Sequence, residues 1–435
     1  MLSISITHKK FNSMEKPANL KSEYRKFIRA CVNDQKRNGF VGYWGSMKAS
    51  RGAEELLDNA ESLAGERKYL EAIEIYQAII ETFVPAIQYA DDSNGTIGDA
   101  INNAVEGLKK CSVFTTEEEK DNLFKYLVRE ADKKQYHDWD WEMDLLNIAA
   151  ELTDDEIKTR ILFDQLDRIG ARENEETHPS EYTHETILKL KGIVLKKRSM
   201  IPEFKTFLRE HINYSAIREL AIRDAIDNNQ LEEAKVLANA GINIAEQKMQ
   251  HGCKATWHKF LLEIAKKESN IEDIKKHSKV LFIDSGEMEY YEEIRRQYPV
   301  SEWPEKALEL MKEMPERISV IQDIPGKIYV REENWDGLLS FAKQRASIYF
   351  LNRYHEHIIK HFPKELSVLY NQVLRKEIAA AHDRSGYRHF CRIILDMEEC
   401  GVKEDVKDLI EWIRRTYPIR IALQDELRKV IKNRY

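Results

Sequence analysis

Glycine and proline are scarce in this 435-residue chain, with 17 and 10 of them respectively. Strands joined by tight turns draw on both residues, whereas long charged helices need few of either. The scarcity argues against a strand-rich fold and predicts an all-α one. Cysteine is scarcer still: Cys31, Cys111, Cys253, Cys391 and Cys400 are odd in number and share no paired spacing. That argues against a disulfide framework and fits free, mostly buried thiols in a reducing, cytoplasmic setting. No apolar run is long enough to span a membrane, which takes roughly eighteen residues. The opening M-L-S-I-S-I-T-H-K-K carries no charge ahead of its apolar stretch, so a secretory leader is not expected. A glycine-rich phosphate loop, a nucleophile elbow, a His/Cys catalytic arrangement and a metal-binding helix pair are all missing. No cofactor, no metal and no enzymatic activity are therefore expected.

What is abundant is charge, at 33% of residues, with a formal net of −7. It is unevenly spread. From His8 to Phe40 the local balance is +6, from Trp412 to Tyr435 it is +5, and the intervening chain carries −18. Basic ends on an acidic body suit either solvated helix faces or contacts with nucleic acid or an acidic partner.

The chain is organised around Arg51 to Asp99. Leu56, Ala60 and Leu63 recur at helical spacing, a polar turn follows over Gly65 to Lys68, and Tyr69, Ala72, Ile73, Tyr76 and Ile79 carry a second helix. Small residues at Ala60 and Ala72 let two antiparallel helices approach closely, Tyr76 fills the groove beside them, and Pro85 closes the unit. This is a tetratricopeptide-like pattern. One such hairpin cannot bury its apolar face alone, so it requires neighbours. Echoes of its second helix occur at 229–238, 269–277 and 333–341, each a polar turn followed by an apolar residue and an acidic pair or near-pair. The expected fold class is an α-α superhelix of degenerate helical hairpins. Its parts are a basic N-terminal segment with a first helix (1–38), N-terminal repeats (39–170), a linker or loop (171–183) and C-terminal repeats (184–435).

Several clusters invite a functional reading. In G-F-V-G-Y-W-G-S (39–46) glycines alternate with aromatics; no basic residue interleaves it, so packing of a chain crossing onto a helix is favoured over base stacking. Asp91 to Asp99 has part of a calcium-loop spacing, but Ala90 and Ile101 stand where its first and last ligands belong, so a turn capped by Thr96 or Asp99 ahead of a helix over 100–110 is expected. His137, Asp138, Asp140, Glu142 and Asp144 are ligand types without a common face, and acids there suit a helix N-terminus anchored by Trp139 and Trp141. His251, Cys253 and His258 fall short of a zinc set. Arg384, Arg388 and Arg392, with Arg414, Arg415 and Arg420, form a candidate anion or nucleic-acid contact.

R-G-A-E-E-L-L-D-N-A with L-E-A-I-E-I-Y, then Y-A-D-D-S-N-G-T-I-G-D, D-W-D-W through Leu152, W-H-K-F-L-L and F-P-K-E-L-S-V-L-Y with S-G-Y-R-H-F-C-R-I-I-L-D-M resemble the helical region that follows the zinc finger of bacterial SWIM zinc-finger proteins. The resemblance covers residues 40 to 430 and implies a tetratricopeptide-like solenoid. The finger's C-x-C and C-x-H pairs are not present, so its zinc and nucleic-acid roles do not carry over. The expectation is a non-catalytic scaffold holding a partner protein or peptide in its concave groove. The alternative is a nucleic-acid-associated accessory protein that uses the basic ends.

Overall fold

A computed structural model describes residues 20–137, 139–175, 180–247, 251–399 and 403–432. Helices make up nearly all of them, so the fold is all-α. The chain forms two compact units, one reaching Leu237 and the other starting at Ala238.

The first unit opens with α1 (Leu20–Gln35), a two-strand hairpin of β1 (Lys36–Arg37) and β2 (Phe40–Val41), α2 (Tyr43–Gly65) and α3 (Tyr69–Ile87). It continues through α4 (Thr96–Ser112), α5 (Glu117–Ala131), α6 (Trp141–Glu151), α7 (Glu156–Glu175), α8 (Glu181–Lys197), α9 (Ile201–Glu210) and α10 (Ser215–Asp227). Helix α11 (Leu231–Gln247) runs across the boundary. The second unit holds α12 (His251–Glu268), α13 (Ile271–Ser285), α14 (Met288–Arg295), α15 (Trp303–Glu313), α16 (Glu316–Ile321), α17 (Ile324–Arg331) and α18 (Trp335–Arg345). It ends with α19 (Ile348–His361), α20 (Pro363–Ala380), α21 (Arg384–Glu399), α22 (Lys403–Thr416) and α23 (Ile421–Lys432).

Helix α3 is the centre of the first unit. Apolar residues cover it on all sides, as a helix packed all round requires, and α1, α2 and α4 pack against it. Ala60 and Ala72 are fully buried. Tyr76 lies against Gly107 of α4: a Cβ built there would meet its Cζ at 2.3 Å. Trp257 lies against Gly241 in the same way in the second unit, with Cδ2 at 2.6 Å from a built Cβ. Pro85 does not end the unit. The helix continues to Ile87, because a proline in the last turn removes only one backbone bond.

One turn recurs. Arg67, Ser199, Asn229, Ser269 and Glu333 all adopt left-handed backbone, with φ between 51° and 63°. In each case the next residue's N–H reaches back five residues: Lys68 to Leu63, Met200 to Leu195, Gln230 to Ala225, Asn270 to Ala265 and Asn334 to Tyr329, at 2.7–3.0 Å. This closes each first helix in the same Schellman geometry and starts the next helix one or two residues later. One of the five turns is that of the first hairpin and three stand at its echoes in the sequence, and the repeat is therefore conformational as well as compositional.

Within the stretch expected as a linker or loop, 171–183, residues 171–175 and 181–183 are helical, and 176–179 lie outside the described residues. Helix α7 persists to Glu175 and α8 begins at Glu181, with Ser180 Oγ accepting from Thr183 N at 3.1 Å. Near the end of α7 a long-range ion pair forms, Arg172 Nη1 to Glu142 Oε1 at 3.1 Å.

Candidate functional site

The six arginines lie on α21, on α22 and in the turn before α23. Arg384, Arg388 and Arg392 sit at helical spacing along one exposed stripe of α21. Arg384 is turned onto α23, 3.3 Å from Glu426 and 3.5 Å from Asp425. Glu426 also accepts from Lys429 at 2.7 Å, and that bond holds its carboxyl below the usual carboxylate range, helped by Arg384 and Arg388. Arg415 pairs with Glu411 at 3.1 Å. Arg420 serves the fold itself, donating to the carbonyls of Ile378 (2.7 Å) and Ala381 (3.2 Å) and so capping the C-terminal end of α20. Arg388, Arg392 and Arg414 present exposed side chains on two separate helices.

In the described part of the basic N-terminal segment Lys21, Arg25 and Lys36 turn inward, while Lys26, Arg29 and Arg37 are exposed. Lys21 and Arg25 both reach Glu81 of α3, at 2.9 and 2.8 Å, and Lys36 lies 3.7 Å above the Tyr89 ring. Residues 1–19 lie outside the described residues.

The acidic and histidine clusters are also internally engaged. In the Asp91–Asp99 loop, Asp92 caps α4, which starts at Thr96 rather than at residue 100. Its two carboxylate oxygens accept from Ile97 N and Gly98 N, both at 2.8 Å. Thr96 and Asp99 do not cap the helix; Asn94 Oδ1 accepts from Thr96 N at 3.0 Å instead. Asp91 Oδ1 accepts from Ser93 Oγ at 2.7 Å. Around α6, His137, Trp139, Asp140, Glu142, Arg172 and Tyr182 line a cleft of about 450 Å³. Trp139 and Trp141 stack at 4.8 Å, and Trp141 Nε1 donates to Asn102 Oδ1 at 2.7 Å. Asp144 is pushed above the usual carboxylate range by burial and by Asp140. Asp138 and the side chain of His251 lie outside the described residues. His258 turns to His277 of α13, not to Cys253. Among the described residues no group of three His, Cys, Asp or Glu side chains is placed to hold a metal ion.

The feature that the sequence reading missed is at 36–46. Asn38 (φ 51°) and Gly39 (φ 85°) form a two-residue hairpin turn, and β1 pairs with β2 across it. Asn-Gly is the strongest short hairpin signal, and it was there to be read. The strand turns Val41 inward and Phe40 outward. Helix α2 then buries Ser46, Ala49, Ser50 and Ala53, which leaves Tyr43 and Trp44 on its outer face. Phe40, Tyr43 and Trp44 are 50%, 40% and 71% exposed, so these aromatics do not pack the chain onto a helix as expected. Tyr43 and Trp44 meet edge to face at 5.1 Å.

The platform beneath them is fixed. Val41 N donates to Tyr89 O at 3.0 Å and Asp91 N to Val41 O at 2.8 Å, so residues 89–91 form a third rung beside the hairpin. Ser46 Oγ donates to Asp91 O (2.6 Å) and Asn94 Nδ2 to Tyr43 O (3.1 Å). The 91–99 loop thus braces the start of α2.

No family model matches the sequence, and no curated protein matches it either. Among solved structures it is similar to a "circular tandem repeat protein with novel repeat topology and enhanced subunit contact surfaces", at 14% identity over 95% of this chain and 96% of that one. The TM-score is 0.20. Among the described residues no helix is long and apolar enough to cross a membrane.

Proposed function

We propose that this chain is a non-catalytic helical-repeat scaffold that binds a partner protein or peptide. The observation that carries this reading is the aromatic platform. Three large aromatic side chains within five residues stand in solvent on a backbone tied by hydrogen bonds to residues 89–94 of the same chain. Aromatic residues held rigidly and exposed lose little conformational freedom on binding, and they dominate the energetics of protein interfaces. A second surface of suitable kind is the half-apolar cleft of about 490 Å³ between α9, α10 and α11, lined by Leu208, Ile212, Ala221 and Leu237 with Lys205, Arg209 and Glu233 at its rim. The kinship with the helical region of SWIM proteins is part of the same proposal and rests on the sequence motifs alone.

The nucleic-acid reading keeps one specific support, the exposed arginine stripe of α21. It is the weaker reading, because Lys21, Arg25, Arg384, Arg415 and Arg420 are engaged within the chain. The deciding experiment is capture of partners from the native cell by the intact chain, with and without nuclease, beside a Phe40→Ser/Trp44→Ser variant of unchanged helicity. The scaffold reading expects a partner that survives nuclease and is lost with the variant. Capture that disappears with nuclease would overturn it in favour of the alternative, and capture indifferent to the variant would remove the platform from the interface.

A further inference from the structure

Helices α12 and α13 form one of the recurring hairpins, joined at the left-handed Ser269 and packed through Leu262, Ala265, Ile274 and Leu281. Across this interface His258 and His277 meet ring to ring. Their Nδ1 atoms are 3.0 Å apart, the ring centroids 5.2 Å apart, and His277 is only 5% exposed. Two bare ring nitrogens at that distance would repel, so one Nδ1 carries a proton and donates it to the other.

The proton inventory follows from this bond. In the neutral pair one imidazole is the Nδ1–H tautomer and its partner the Nε2–H tautomer. A first added proton goes to the free Nε2 of the donor, and the Nδ1–H···Nδ1 bond survives with a charge of one. A second must go to the accepting Nδ1. The bond is then lost, and two imidazolium rings face each other in a half-buried interface.

The charges around the pair are mixed. Glu246 from α11, Lys254 from α12, and Asp273, Lys276 and Asp284 from α13 act on the two rings. Lys254 is itself tied to Glu246 at 3.0 Å. Helix α14 contributes the phenol of Tyr290 to the same apolar cluster. Burial is the largest influence on both rings. With Lys276 and Lys254 it lowers His258, and with His258 and Lys276 it takes His277 down to about 4. His258 is the less buried ring, so it takes the first proton and becomes the donor.

We propose that His258 and His277 form a proton-operated latch on the α12–α13 hairpin, closed while the pair carries at most one added proton and released when the second arrives. An unfolded histidine titrates near 6.5, and both rings titrate lower when folded. The latch's contribution to stability is therefore complete above about pH 6.5 and is lost as pH falls from there through about 4. Release exposes the apolar seam at Leu262, Ala265 and Leu281, so acid would uncover a surface that is closed at neutral pH.

The test is hydrogen exchange by mass spectrometry on the intact chain at about pH 7 and about pH 4.5, corrected for intrinsic rates, for the wild type and for His258→Asn and His277→Asn. Asparagine places an amide atom near the Nδ1 position and keeps one hydrogen bond, but it does not take up a proton. The wild type is expected to lose protection over residues 254–285 on acidification ahead of its neighbours, and each variant to keep it. Equal loss in the variants, or uniform loss along the chain, would overturn the latch. Selective carbon-13 labelling of histidine gives a second reading on the wild type alone, should a variant misfold. Two coupled steps, the lower near 4, are expected; independent titration of both rings near 6.5 would refute it. Stoichiometric zinc or copper binding at neutral pH that depends on both histidines would identify a metal clamp instead and overturn the proposal.

Discussion

Replacing Gly107 by alanine sets two effects of known sign against each other. Gly107 lies inside α4, and on helix propensity alone the substitution should stabilise by about 1 kcal/mol. The structure predicts the opposite. The new methyl would sit 2.3 Å from Tyr76 Cζ, 2.5 Å from Cε1 and 2.8 Å from Cε2, inside the ring's van der Waals surface. Tyr76 is buried and flanked by fully buried neighbours of α3, so it has no empty space to move into. Overpacking of a tight core costs about 1–3 kcal/mol, and an overlap this deep belongs at the upper end. The net expectation is a loss of about 2 kcal/mol.

The decisive measurement is the sign in a second background. Tyr76→Ala removes the ring at a cost of about 3–5 kcal/mol by analogy with other aromatic truncations. In that background Gly107→Ala should revert to its helix-propensity gain of about 1 kcal/mol. The coupling energy of the cycle is then about 3 kcal/mol, large enough to measure by urea denaturation with far-UV circular dichroism. Hydrogen exchange in α3 and α4 would place the loss in the first unit. Gly107→Ala that stabilises the chain with Tyr76 in place would refute the contact and the register of α3 against α4.

Ala60→Leu and Ala72→Leu are each expected to lower stability by about 1–3 kcal/mol, since both side chains are fully buried where helices meet; unchanged melting would mean that these alanines face solvent. Glu333→Gly and Arg67→Gly, at φ 51° and 63°, should stabilise by about 0.5–1 kcal/mol because glycine removes left-handed strain. Asn229→Gly should be nearly neutral, because asparagine tolerates that region; thermal denaturation of the three variants checks the order, and a loss at Glu333 would contradict the shared turn. In a gel-shift titration with single- and double-stranded DNA and RNA at about 150 mM salt, where screening acts beyond about 8 Å, the intact chain should show no sub-micromolar binding. Such binding, lost on neutralising Arg388, Arg392 and Arg414, would restore the nucleic-acid reading.

What was legible in the sequence was local. Leu56, Ala60, Ala72 and Tyr76 announce the first hairpin because burial repeats at the helical period within a few turns. Leu20–Gln35 reads as a helix for the same reason, and Thr116 with Glu119 forms a full capping box. The recurring turn is half legible. Its acidic second helix marks four occurrences, but the turn at Ser199 is followed by Ile201 and Pro202, and only its backbone shows that it is the same device. The stretch 171–183 read as a linker because the last turn of α7 is polar. Arg172 in its first part meets Glu142 thirty residues away, and no local pattern carries that pairing.

The candidate sites failed to be legible for a related reason. A cluster of ligand-type residues signals chemistry only if the fold leaves its polar atoms free, and pairing is decided by residues distant in sequence. Asp92 looks like a calcium ligand until its oxygens are found on the backbone of the next helix. Arg420 looks like an anion contact until it is found on carbonyls some forty residues earlier. His258 looks like a stray zinc ligand until His277 takes its nitrogen. Aromatics behave in the opposite way. A Gly-aromatic run is expected to be buried, and only the register of a two-residue strand turns Phe40 out while Val41 goes in. A shift of one residue in that hairpin would bury Phe40 and expose Val41. Asn38-Gly39 fixes the register, and the 89–91 rung holds it. The exposure of the platform is therefore set by the same local geometry that orders the hairpin, and any change that slips the turn should bury Phe40 without melting the helices beneath it.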